Sequence, residues 1–62
     1  MTNLKIINKV KEILNENKEY YQECTLIEGF SKILEHFKND FIPSRTNKSI
    51  MKELYNFRYI NN

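Results

Sequence analysis

The sequence predicts an all-α protein, a small three-helix bundle, and three observations carry that expectation. Apolar residues recur at helical spacing over two long stretches, Thr25-Leu-Ile-Glu28 marks a fresh helix start between them, and Pro43 marks a stop. No stretch alternates apolar and polar residues as a half-buried strand would. The chain has 62 residues, 40% of them hydrophobic, enough for one small domain over residues 1–62 with a modest core and too few for a multidomain enzyme.

The first helix is expected over residues 3–23. Stepping about 100° per residue puts Ile6, Ile7, Val10, Ile13, Leu14, Asn17, Tyr20, Tyr21 and Cys24 inside an arc of about 140°. Lys5, Lys9, Lys11, Glu12, Glu16, Lys18 and Glu19 fall opposite, as a solvated face requires, and Thr2 or Asn3 supplies a cap. After Cys24 the apolar phase jumps, and Thr25 with Glu28 forms the S/T-x-x-E capping box of a second helix over 26–41. Its stripe is Leu26, Ile27, Phe30, Ile33, Leu34, Phe37 and Phe41. Gly29 lowers helix propensity here by up to about 1 kcal/mol relative to Ala, which close approach of the first helix would justify.

Pro43 removes a donor and pushes Ile42 toward an extended conformation, so the second helix must end before it. Ser44, Arg45, Thr46 and Asn47 then offer turn and cap chemistry, and a third helix follows over 47–59 with Ile50, Met51, Leu54, Phe57 and Arg58 on one side. Residues 60–62 are expected to fray. The alternative assembly is an α-hairpin of the first two helices that dimerises, with the third docked across the partner.

Composition narrows the setting. The chain carries a net charge of +2; its heavy use of Lys, Asn and Ile beside no Ala and no Trp reflects AT-rich coding rather than physics, because the absence of Ala helps nothing in a helical protein. A lone Cys24 cannot close an internal disulfide and argues for a reducing compartment, so the cytoplasm is expected. No run approaches the roughly 18 consecutive apolar residues of a membrane span, and lysines interrupt the N-terminal stretch where a signal peptide would be apolar.

The catalytic inventory is one His, one Cys and one Asp, and nothing in their spacing brings them together, so no enzyme and no cofactor is expected. His36 and Asp40 stand at i and i+4, a surface pair rather than a metal site, which would need three or four ligands. Cys24 reads as a small packed hydrophobe, and a single Gly rules out a phosphate-cradling loop. Asn17, polar within an apolar stripe, either specifies an oligomer by pairing with its symmetry mate or reaches water at a thin edge of the core.

Charge supplies the one functional asymmetry. Residues 43–62 hold Arg45, Lys48, Lys52 and Arg58 against the single Glu53, leaving +3, while residues 1–24 balance and residues 25–42 are slightly acidic. Lys48, Lys52, Tyr55 and Tyr59 line one face of the third helix, with Arg45 near the same side. Basic residues interleaved with tyrosines suit a protein partner, since Tyr and Arg dominate interface hot spots. They suit nucleic acid too, where lysine and arginine neutralise phosphates. The sequence therefore predicts a small non-enzymatic helical regulator or inhibitor, homodimeric, that binds a partner protein through Arg45, Lys48, Lys52, Tyr55 and Tyr59. The alternative is DNA binding through the same helix.

Overall fold

The computed structural model describes residues 3–60 and shows an all-α bundle of four helices among them. They are α1 (Asn3–Glu16), α2 (Lys18–Glu23), α3 (Leu26–Glu35) and α4 (Ser44–Tyr59). Ile6, Val10, Ile13 and Leu14 of α1 recur at helical spacing and bury one face. They meet Tyr21 of α2, Ile33 of α3, Phe37, and Ile50 and Leu54 of α4 in a single core. The last helix is the hub: α4 packs against α1, α2 and α3. Helix α4, which the sequence places third, is thus docked within its own chain.

The expected first helix is divided. Asn17 leaves helical geometry at φ −142° and ψ 57°, and the helix resumes at Lys18. Packing supplies the reason. Breaking at Asn17 keeps α2 against α4 and leaves Tyr21 only 1% exposed. Asn, a poor helix former that competes for backbone hydrogen bonds, is well suited to the break. The Tyr21 N–H still donates to the Asn17 carbonyl at 3.2 Å.

The start of α3 is as the sequence predicts. The Thr25 N–H donates to Glu28 Oε1 at 3.0 Å, and the Glu28 N–H donates to Thr25 Oγ1 at 3.1 Å, completing the reciprocal box. Its end comes earlier, at Glu35 rather than residue 41. The N–H groups of His36, Phe37 and Asp40 bond three residues back, to Ile33, Leu34 and Phe37, so the chain tightens into successive turns. That tightening separates Phe37 from Phe41, which a continuous helix would have placed on one face. Phe37 is buried, Phe41 is 86% exposed, and Ile42 packs against the core instead.

Helix α4 starts at Ser44, three residues before the expected start. Pro43, at φ −61° and ψ 153°, serves as its N-cap, and its carbonyl accepts from Thr46 and Asn47 at 2.9 and 3.0 Å. Proline's fixed φ suits the entry to a helix, and Thr46 gains burial. Gly29 is buried against α4, not α1. A Cβ there would lie 3.1 Å from both Cys24 Sγ and Leu54 Cδ2, so only glycine lets Leu54 approach at that distance without displacement. The proposed Thr2 cap and residues 61–62 lie outside the described residues; Asn3 is already helical, and Ile60 is the C-cap of α4. Among the described residues, no helix is long and apolar enough to cross a membrane.

Candidate partner-binding surface

With Thr46, Ile50 and Leu54 of α4 turned into the core, the opposite side of the helix is left to solvent. Arg45, Lys48, Lys52, Tyr55 and Tyr59 are all exposed there, and at about 100° per residue they span an arc of about 80°. Tyr55 and Tyr59, one turn apart, are 50% and 57% exposed and pair their rings at 4.8 Å between centroids with a 55° tilt. Each ring braces the other, so less rotamer freedom is left to lose on binding. Among the described residues, the three cations make no ion pair.

Arg58 departs from the surface the other cations share. It is half-buried, its Nη1 donates to the Cys24 carbonyl, and Nη1 lies 4.0 Å from Cys24 Sγ. Its guanidinium carbon sits 5.4 Å from the Tyr59 ring centroid. Arg58 therefore ties the end of α4 to the α2–α3 junction and steadies Tyr59. Nothing local in the sequence signals this link, because its partners lie 34 residues apart.

Asn17 is exposed at the helix break and makes no capping side-chain bond, so its side chain reaches water, the second of the two readings of its place in the stripe. Among aromatic side chains off the ridge, Tyr21 is buried, Tyr20 and Phe57 are half-buried, and Phe41 is exposed. Burial pushes the Tyr21 hydroxyl above its ordinary value of 10.0, with Tyr20 and Cys24 adding to the shift.

Cys24 is half-buried and packs against the core. His36 and Asp40 lose their expected helical i, i+4 relation because α3 ends at Glu35; both side chains are exposed. Among the described residues, no three His, Cys, Asp or Glu side chains converge as metal ligands would.

Two grooves also lie on the surface of the described residues. One, of about 410 Å³, lies along α3 and is lined by Tyr20, Ile27, Glu28, Ser31, Lys32 and Glu35, with Lys32 Nζ 5.4 Å from the Tyr20 ring centroid. The other, of about 470 Å³, lies between α1, α2 and α4 and is lined by Lys11, Leu14, Asn15, Lys18, Gln22, Glu53 and Phe57. Sequence reading missed this second groove, since its walls come from distant segments. Neither a family model, nor a curated protein, nor a solved structure matches the chain.

Proposed function

We propose that the protein is a small non-catalytic regulator or inhibitor that captures an acidic protein surface on the outward ridge of α4. One observation carries the reading: two braced, half-exposed tyrosines share a narrow helical face with three cations that lack carboxylate partners among the described residues. Tyrosines give contact area at low entropic cost, and the cations steer an acidic partner into register. A reducing, cytoplasmic setting agrees with the lone Cys24. Homodimerisation belongs to the same reading and is supported by Phe41, which is 86% exposed.

The test is capture by tagged protein from its host's lysate, treated with nuclease, comparing the natural chain with the Lys48→Glu, Lys52→Glu double variant. A nuclease-resistant protein partner is expected, with recovery falling about tenfold in the variant while helicity by circular dichroism is kept. Equal recovery by both chains removes the ridge from consideration. DNA held along α4 is the second reading, favoured by the placement of Arg45, Lys48 and Lys52 at i, i+3 and i+7. Three phosphate contacts would make affinity fall about 40-fold for a fourfold rise in salt. Bound material that disappears with nuclease would establish this second reading.

A further inference from the structure

The groove between α1, α2 and α4 lies on a different flank of α4 from the tyrosine ridge and has a chemistry of its own. Leu14, only 2% exposed, and half-buried Phe57 form its apolar floor. Lys11 and Lys18 stand on the α1–α2 wall on either side of the break at Asn17, both exposed. Among the described residues, neither ammonium has a hydrogen-bond or ion-pair partner. The α4 wall carries the opposite sign through Glu53.

We infer that this groove is a docking site for a short acidic segment of a partner protein, anchored by one bulky apolar side chain. Its volume of about 470 Å³ is within the range that receives such a group. The anchor settles on the exposed part of Phe57 beside Leu14, gaining apolar burial. Carboxylates flanking the anchor meet Lys11 and Lys18, so the charge of the wall selects the segment. Glu53 repels a carboxylate on the far side and thereby fixes which way the segment lies. Every residue of this site lies off the ridge, so the two surfaces stand or fall separately.

The test titrates the full-length, isotope-labelled chain with three capped peptides, following backbone amide shifts. The peptides are EELFEE, its charge-reversed form KKLFKK, and EESSEE, which lacks the anchor. EELFEE is expected to move the amides of Lys11, Leu14, Lys18, Glu53 and Phe57, with the other two binding about tenfold more weakly or worse. The Lys11→Glu, Lys18→Glu double variant is expected to lose about tenfold in affinity for EELFEE with its helicity intact. Should that variant lose helicity, Lys11→Gln with Lys18→Gln takes its place and is expected to weaken binding in the same direction. Equal binding of all three peptides, unmoved groove amides, or unchanged affinity in the variants overturns the inference. Shifts confined to Arg45, Lys48, Lys52, Tyr55 and Tyr59 also overturn it while favouring the ridge.

Discussion

At Glu28 one carboxylate both closes a helix cap and records pH. The Thr25 backbone N–H bond, with the Thr25 hydroxyl adding to it, holds the Glu28 carboxyl below its ordinary value of 4.5. Because the folded chain releases this proton more readily than the unfolded one, the carboxylate's contribution is complete above about pH 4.5 and is lost as pH falls through the lowered folded value. Denaturant midpoints measured from about pH 6 down to about pH 3 should fall more steeply in the natural chain than in Glu28→Gln. Thr25→Ala should lower stability by about 1 kcal/mol at neutral pH and flatten the same acid slope. This pair was legible in the sequence because the cap is complete within four residues. Arg58 was not: its place on the apolar side of α4 was readable, but its carbonyl partner at Cys24 is set by how α4 lies on the α2–α3 junction.

Among the elements, helix type and most outer helix ends were readable, but the break at Asn17, the end of α3 and the start of α4 were not. Periodicity identifies which residues face inward, but the break at Asn17 goes with the packing of α2 on α4, a contact between distant segments that a sequence window does not carry. The same holds after Glu35, where burying Phe37 and Ile42 together requires tightened turns that the Phe37–Phe41 spacing argues against. The tyrosine ridge, by contrast, was legible residue by residue, because the buried face of a helix determines the exposed one. Asn17→Ala tests the account of the break. Alanine raises local helix propensity by well under 1 kcal/mol, whereas releasing Tyr21 would forfeit roughly 2 kcal/mol of burial, so the break should persist. The variant should therefore match the natural chain within about 1 kcal/mol and show the same molar mass by light scattering. A change in oligomeric state would show that Asn17 specifies the oligomer.

For the whole molecule, the position of α4 decides how stability is distributed. Ile50 and Leu54 are fully buried, and Leu54 also sits against Gly29, so α4 joins the other helices into one core. Leu54→Ala should cost about 2–5 kcal/mol, comparable to all the stability a core of this size provides, and should abolish a cooperative thermal transition. Ile27→Ala, on an exposed side chain of α3, should stay within about 0.5 kcal/mol of the natural chain. Order along the chain gives α4 a further significance. During synthesis α1, α2 and α3 leave the ribosome before the helix on which all three pack. Until Leu54 emerges, the nascent segment has amphipathic faces with nothing to cover them. Its exposure to proteases therefore lasts until α4 has left the ribosome, and ends when that helix docks.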